Sequence, residues 1–209
     1  MQILDSLKWR YATKKFDATR FLDDNQVHTL KEAFNLTATS YGLQPIRLVV
    51  IKNKELQEQL VEHSWNQRQV ADASHLLVIC IENTVDEAYI DGYFDRVKAI
   101  RNTPDEILAP FKDFMKNSFK DKTQEELKTW SSKQAYIALG NLLTVCGAEQ
   151  IDACPMEGFV PEKYNEILGL DAHGLSSVLV LPVGYRAEDD MFSDFKKVRK
   201  SVEESVLEL

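Results

Sequence analysis

A helix that is apolar on every face limits the folds open to this chain of 209 residues. Thr123 and Glu126 match a capping box, in which two side chains satisfy the free backbone N–H groups of a helix N-terminus. The nearly all-apolar stretch AYIALGNLLTVCGA, residues 135–148, follows. Because such a helix is buried on all sides, we expect it at the centre of the protein or of a dimer.

Three short apolar runs are typical of β-strands, since they are rich in β-branched side chains. They cover residues 46–53, 75–83 and 175–184. Helical patterns connect the runs, so we expect an α+β fold. No repeat and no low-complexity linker divides the chain, and we therefore expect residues 1–209 to form one domain.

Local signals mark the ends of the connecting helices. Asp23 or Asp24 is a candidate N-cap for an early helix, and Pro161 and Gly169 fit the start and the end of a later one. Residues 86–122 are polar with scattered aromatic side chains. That pattern predicts solvent-facing helices of the kind that form a lid.

Two clusters of basic residues lie at opposite ends of a chain whose formal net charge is -8. The field of such a chain repels polyanions, which argues against nucleic acid and anionic membranes as partners. If the fold brings the clusters together, they form a site for a phosphate. If it does not, both are solvated surface, and charge alone favours that interpretation. The clusters are Lys8, Arg10, Lys14 and Lys15, and Lys196, Lys197, Arg199 and Lys200.

Other kinds of site find no support in the sequence. The four histidines lack the spacing of metal ligands, so we expect no metal, and motifs for serine hydrolases, the P-loop and dinucleotide binding are absent. No signal sequence and no membrane-spanning run is present, and Cys80, Cys146 and Cys154 show no C-x-x-C spacing. We expect a cytoplasmic protein whose chemistry belongs to a borrowed cofactor.

Two loops have compositions that allow a close approach to a flat ligand, although each also fits an ordinary turn. TATSYGLQP, residues 37–45, combines small and hydroxyl side chains with Gly42. DACPMEGF, residues 152–159, fixes the backbone at Pro155 and opens it at Gly158. Neither loop identifies a ligand by itself.

Seven segments in a fixed order carry a resemblance to a known family. In chain order they are LKWRYATKKFD, TATSYGLQP, WNQRQVADASHLLVICIEN, SSKQAYIALGNLL, DACPMEGF, LVLPVGYR and FKKVRK. Together they resemble the FMN-dependent nitroreductases, in particular the branch of oxygen-insensitive NAD(P)H nitroreductases and dihydropteridine reductases. The resemblance runs from the first helix to about Arg199.

The resemblance implies that several segments hold one FMN. Arg10, Lys197 and Arg199 would bind its phosphate, Lys14 would lie beside the N1/C2=O edge of the ring, and Asn66 would bind the pyrimidine edge. The remaining cofactor residues implied are Tyr11, Ala12, Ala38, Thr39, Ser40, Gln69, Gln134, Pro155, Met156, Glu157 and Gly158. The segment from Pro155 to Gly158 would cover one face of the flavin ring and offer a backbone N–H to its N5 atom. The sequence departs from the family at Ala12, Gly42 and Gln69, where relatives have serine, asparagine and, in some cases, lysine.

The same resemblance implies a fold and an assembly. We expect a mixed sheet flanked by helices, with the long central helix at a homodimer interface. The C-terminal arm would be exchanged with the partner. Two flavins would lie at the interface, each held by residues of both chains.

The reaction implied is a ping-pong transfer of hydride from NADH or NADPH, through FMN, to a flat acceptor such as a nitroaromatic or a quinone. We expect Tyr41 and one of Phe114 or Phe119 to form the wall that faces the substrate. Three alternatives remain open: another flavin reaction such as flavin reduction, enoate reduction or dehalogenation, a non-catalytic FMN-binding protein, and an acidic interaction module without a cofactor.

Overall fold

A four-stranded sheet lies at the centre of the computed structural model, which describes residues 2–209. The strands are β1 (Ile46–Ile51), β2 (His75–Glu82), β3 (Asp152–Ala153) and β4 (Leu175–Gly184), in the order β1-β2-β4-β3. Every pairing between them is antiparallel. An isolated bridge between Ala12 and Ala153 is parallel, so the parallel part of the predicted mixed sheet is limited to that bridge.

Strand β2 explains why the sheet is covered on both faces. Its side chains are buried from His75 to Ile81. Alternate residues point to opposite faces of a strand. Val78 therefore packs with Tyr164 and its neighbours on one side, and Ile79 packs with Leu142 and its neighbours on the other. The α+β class predicted from the sequence is confirmed.

Nine helices are present among residues 2–209, in addition to short 3-10 turns. They are α1 (Ile3–Trp9), α2 (Asp24–Asn35), α3 (Lys54–Gln59), α4 (Gln69–Asp72), α5 (Glu87–Arg101), α6 (Asp105–Lys120), α7 (Gln124–Ala148), α8 (Pro161–Leu168) and α9 (Val202–Ser205). Asp23 caps α2, which settles the choice between the two aspartates, and Thr123 caps α7. Pro161 begins α8 and Gly169 ends it with a φ of 62°, as predicted.

Helices α5 and α6 form the polar region for which solvent-facing helices were predicted. They are more than a solvated cover, because Ile90, Phe94, Met115 and Phe119 make a separate hydrophobic cluster. Leu43 joins that cluster from the loop before β1. The pair of helices is thus anchored to the turn at residues 40–44.

Helix α7 is buried on one face and exposed on another. Ala135, Ala138 and Leu142 are buried, whereas Tyr136 and Ile137 are about half exposed. The prediction that this helix is buried on every side is therefore wrong for a single chain. A pattern that is apolar all round does not tell the interior of one chain from a surface that a second chain would cover.

The arm formed by residues 191–209 has little regular structure beyond α9. Its apolar side chains are exposed, among them Phe192, Phe195, Val198, Val202, Val206 and Leu207. In the part of the chain that the structure describes, no helix is long and apolar enough to cross a membrane.

Candidate functional site

The two basic clusters meet. Arg10 is the C-cap of helix α1, and the ammonium group of Lys197 donates a hydrogen bond to the Arg10 carbonyl oxygen. Burial and the nearby Arg199 charge lower the pKa of Arg10, and burial, Arg10 and Arg199 lower that of Lys197. The Arg10 Nε is buried and has no hydrogen-bond partner among residues 2–209. Three converging cations with an unsatisfied donor are suited to an anion.

Asp190 joins the N-terminal loop to the C-terminal arm. Its Oδ2 accepts hydrogen bonds from the Tyr11 hydroxyl at 2.8 Å and from the N–H groups of Lys14 and Lys15 at 2.9 and 3.2 Å. Its Oδ1 accepts one from the N–H of Phe192 at 3.2 Å. Burial opposes ionisation of Asp190, but these donors hold its pKa below the usual value. The carboxylate therefore sets the position of Lys14 relative to the arm.

A second carboxylate, that of Asp152, orients the N-terminal loop through Arg186. Asp152 accepts a hydrogen bond from the Arg186 Nε at 2.8 Å and another from the Arg186 N–H at 2.8 Å. The Arg186 guanidinium also lies 4.4 Å from the centre of the Trp9 ring and 4.6 Å from that of Tyr11. These contacts hold the rings of Trp9 and Tyr11, which are the residues before and after Arg10 in the sequence.

The segment after β3 presents backbone donors beside this loop. Met156 donates to the Val180 carbonyl at 2.8 Å, but the N–H groups of Glu157 and Gly158 have no acceptor in the described part of the chain. The Lys14 Nζ lies 3.9 Å from the Cys154 Sγ at the start of the segment. A ligand in contact with Lys14 would thus lie beside the start of this segment.

Residues 65–69 complete this side of the site. Trp65 and Asn66 both adopt a left-handed backbone, with φ of 54° and 57°, and the Gln67 amide donates to the Gly158 carbonyl at 3.2 Å. The side chains of Asn66 and Gln69 make no hydrogen bond to any other described residue. We call residues 10–14, 65–69, 154–158 and 197–199 the first half-site.

A strained turn forms a separate group of the predicted residues. Tyr41 and Gly42 have φ of 57° and 73°. The Ser40 N–H donates to the Gln134 Oε1 at 2.8 Å, and the Gln134 amide donates to the Trp130 carbonyl at 3.1 Å. Gln134 is buried, so in a single chain it holds the turn in place. We call residues 38–44, Gln134 and the neighbouring rings of Phe111, Phe114 and Phe119 the second half-site.

The rings of Phe111, Phe114 and Phe119 on α6 lie next to that turn and, together with Tyr41, form an aromatic strip. Tyr41, Phe111 and Phe114 are exposed, and the Phe111 and Phe114 rings are stacked with their centres 6.2 Å apart. Phe119 is only 6% exposed and packs behind Tyr41, with ring centres 5.9 Å apart. Of the two phenylalanines predicted as alternatives, Phe114 is the one that faces solvent.

The two half-sites lie on different sides of α7. Gln134 holds Ser40, whereas the hydroxyl of Tyr136 donates to the Glu157 carboxylate at 2.7 Å. Residues two apart on a helix differ by about 200°, so these side chains leave the helix in nearly opposite directions. A single chain therefore does not bring all the predicted cofactor residues together.

Several residues that shape the site were not among those predicted. Asp152, Arg186 and Asp190 orient the first half-site, Trp65 covers Gly158, and Phe111 extends the aromatic strip. The sequence could have indicated Phe111, because it lies about one helical turn before Phe114. It could also have indicated Trp65, because it directly precedes Asn66. The roles of the charged residues depend on partners far away in the chain. Among residues 2–209, no group of three potential ligands could hold a metal ion.

Comparisons with known proteins support the fold. Residues 7–185 match the model of the Nitroreductase family. A Bacillus subtilis protein provisionally named NAD(P)H nitroreductase YfkO is 35% identical, over 98% of this chain and 96% of its own. The fold matches the B. subtilis nitroreductase-like protein ydfN with a TM-score of 0.88 at 16% identity, covering 100% and 99% of the two chains. It also matches an Exiguobacterium sibiricum protein solved in complex with FMN, with a TM-score of 0.85 at 18% identity, covering 100% and 98%.

Proposed function

Because this chain belongs to the nitroreductase family, we propose that it is an FMN-dependent oxidoreductase. It takes hydride from NADH or NADPH and passes two electrons to nitroaromatics, quinones or similar flat acceptors. The observation that carries the proposal is the meeting of Arg10, Lys197 and Arg199 around a buried Nε that has no partner among the described residues. We also propose that residues 1–209 act as one unit in the cytoplasm.

The residues of the first half-site fit FMN. Arg10, Lys197 and Arg199 would hold the phosphate through charge-assisted hydrogen bonds. Lys14 would lie at the ring edge, and the free N–H groups of Glu157 and Gly158 would donate to the ring. The amides of Asn66 and Gln69 would complete the contacts of that edge, and Tyr11, Ala12, Pro155 and Met156 would line the site. FMN, when bound, supplies the acceptance and the release of hydride.

We propose that the second half-site belongs to the flavin of the partner chain. The separation of the two half-sites by α7 supports this, because Ala38, Thr39 and Ser40 cannot complete the first half-site of their own chain. Exposed apolar side chains support it as well. They include Ile3, Leu4 and Leu7 on α1, Tyr136 and Ile137 on α7, and those of the arm. A homodimer with exchanged arms would cover them.

The acceptor would stack against Tyr41 and Phe114. The protein needs no acid or base at this position, because solvent water can supply the protons, and its contribution is to hold the acceptor against the ring. Phe111 widens the same wall, while Phe119 supports Tyr41 from behind. The Tyr41 turn keeps its strained shape because Gln134 holds Ser40.

The visible spectrum of the purified protein tests the proposal. We expect a yellow protein whose absorbance bleaches when NADH or NADPH is added without oxygen and returns when a quinone or nitroaromatic follows. A colourless protein that binds no added FMN would contradict the cofactor. A yellow protein that neither nucleotide bleaches would be a binding protein, and enones and free flavins in the acceptor panel identify other flavin reactions.

Lys14→Met should lower the midpoint potential of the bound flavin. Reduction places negative charge at the ring edge, and a cation there favours the reduced form by about 1 to 4 kcal/mol, depending on the local dielectric. The change keeps the length of the side chain, and FMN stays bound through its phosphate. A spectroelectrochemical titration measures the shift, with Lys15→Met as the control because Lys15 pairs with the exposed Asp189 instead. Equal potentials for Lys14→Met and wild type would remove Lys14 from the ring.

Gly158→Val should weaken FMN binding because of Trp65. A Cβ at Gly158 would lie 2.8 Å from the Trp65 ring carbon Cε3, too close for either group to stay in place. Such overpacking costs about 1 to 3 kcal/mol, or about 5- to 150-fold in the dissociation constant if it displaces residues 65–69. The double variant Trp65→Ala/Gly158→Val, measured by flavin titration, should recover part of the loss. No recovery would mean that the valine itself blocks the ring.

A further inference from the structure

Two cavities next to the Tyr41 turn have no role in the function proposed so far. One has a volume of about 280 Å³ and is lined by Gly42, Gln44, Tyr93, Arg96 and Arg101, among others. The other, of about 230 Å³, shares Gln44 and Arg96 with the first. Arg96 therefore lies where the two cavities meet.

The two arginines of the larger cavity, Arg96 and Arg101, have no carboxylate partner among the described residues. Within residues 2–209, neither Arg96 nor Arg101 forms a salt bridge, although most basic residues of α5 and α6 that lie nearby do. Lys98 pairs with Asp105, and Lys112 and Lys116 pair with Asp91. Arg96 folds back over Gly92, where its Nη1 would be 3.9 Å from an added Cβ. The two residues are five positions apart on α5, so their side chains leave the helix about 140° apart and flank the cavity. A phosphate bound between them could contact both guanidinium groups.

The cavity also has an apolar part. Tyr93 contributes an aromatic ring, and Ile100 is 81% exposed beside it. A planar heterocycle could pack on these side chains while a phosphate binds the arginines. Since the chain as a whole has a net charge of -8, a polyanionic nucleotide needs such a local concentration of positive charge.

The cavity adjoins the proposed substrate wall at the Tyr41 turn. Gly42 lines the cavity and directly follows Tyr41, and a Cβ at Gly42 would lie 3.0 Å from the Tyr93 hydroxyl. The turn therefore has one side toward the flavin acceptor and the other toward the arginines. A dinucleotide whose nicotinamide lies at Tyr41 could extend along this turn.

We propose that Arg96 and Arg101 bind the 2′-phosphate of NADPH and make the protein prefer NADPH to NADH. The inference rests on the proposed function, since it assigns the donor of the same site. NADPH differs from NADH by this one dianionic group, which is the group that two unpaired arginines recognise. Tyr93 and Ile100 hold the adenine.

Anaerobic stopped-flow bleaching of the flavin-loaded protein by each nucleotide provides the first test. Wild type should react with NADPH at lower concentrations than with NADH. Arg96→Gln and Arg101→Gln should each raise the NADPH concentration for half-maximal rate by about tenfold or more and leave the NADH value unchanged. Lys98→Gln is the matched control, because it removes one charge from the same helix but from a residue already paired with Asp105.

Calorimetric binding of two adenosine nucleotides to the same proteins provides a test that does not depend on turnover. Adenosine 2′,5′-bisphosphate should bind wild type more tightly than adenosine 5′-monophosphate, and the two arginine variants should lose that difference. Equal binding of the two by wild type, or variants that weaken NADH and NADPH alike, would overturn the inference. If neither NADH nor NADPH bleaches the flavin, the proposed function fails, and the adenosine nucleotides still decide whether the arginines bind a 2′-phosphate.

Discussion

Replacing Asp190 with asparagine is expected to weaken FMN binding by about 10- to 150-fold while the chain keeps its fold. The carboxylate accepts hydrogen bonds from Tyr11, Lys14, Lys15 and Phe192, and so fixes the N-terminal cations relative to the arm that carries Lys197. A hydrogen bond to a charged group contributes about 1.5 to 3 kcal/mol. An amide keeps only one acceptor oxygen and turns a donor toward one of these N–H groups.

The control is Asp189→Asn. Asp189 is the preceding residue and carries the same charge, but it is exposed, and among residues 2–209 its one ion pair is with Lys15. Flavin titration should give the wild-type dissociation constant for this variant, and circular dichroism should show the native fold for both. An unchanged affinity in Asp190→Asn would mean that the loop and the arm find their positions without the carboxylate.

The pH dependence of stability follows from the lowered pKa of Asp190. A carboxyl group whose folded pKa is depressed stabilises the fold above its unfolded pKa of about 3.9, and that contribution is lost as the pH falls through the folded value. The difference in unfolding free energy between wild type and Asp190→Asn should therefore stay constant from about pH 5 to 8 and shrink only in stronger acid. A difference that changes near neutral pH would point to another group.

Removal of residues 192–209 should weaken both FMN binding and dimerisation. The truncation deletes Lys197 and Arg199, two of the three cations at the proposed phosphate site, and about 100-fold or more in FMN affinity should go with them. It also deletes the exposed apolar side chains of the arm, which we expect to cover the partner. Analytical ultracentrifugation and flavin titration should show the two losses together.

A shorter truncation separates the two effects. Removal of residues 201–209 deletes α9 and the side chains of Val202, Val206 and Leu207 but keeps both cations. This variant should dimerise more weakly and, at concentrations where it is dimeric, still retain FMN. A protein ending at Met191 that sediments as a flavin-loaded dimer would refute the proposed role of the arm.

Local patterns were enough to predict most of the secondary structure. The N-cap of α2, the capping box of α7, the proline and glycine at the ends of α8, and the three longer strands each depend on residues close together in the chain. Strand β3 and helix α4 were not predicted because two and four residues are too few to show a period. Their existence depends on neighbours in the folded chain.

The site was predictable only in part, because its groups come from distant positions. The positions in the first half-site came from the order of motifs, whereas Asp190 lies in a run of acidic residues that looks like solvated surface. Its burial depends on Tyr11, 179 residues away. Helical geometry alone separates Phe114 from Phe119, since five residues turn a helix by about 500° and leave the two side chains about 140° apart.

The placement of two of the proposed phosphate ligands, Lys197 and Arg199, on a weakly packed arm has a consequence for the lifetime of the loaded enzyme. If FMN is held as proposed, it can leave only when the arm detaches, and local opening of such a segment needs far less free energy than global unfolding. The rate of flavin release would then equal the rate at which the arm opens. Because the same arm would cover the partner, cofactor loss and subunit exchange should share one time constant.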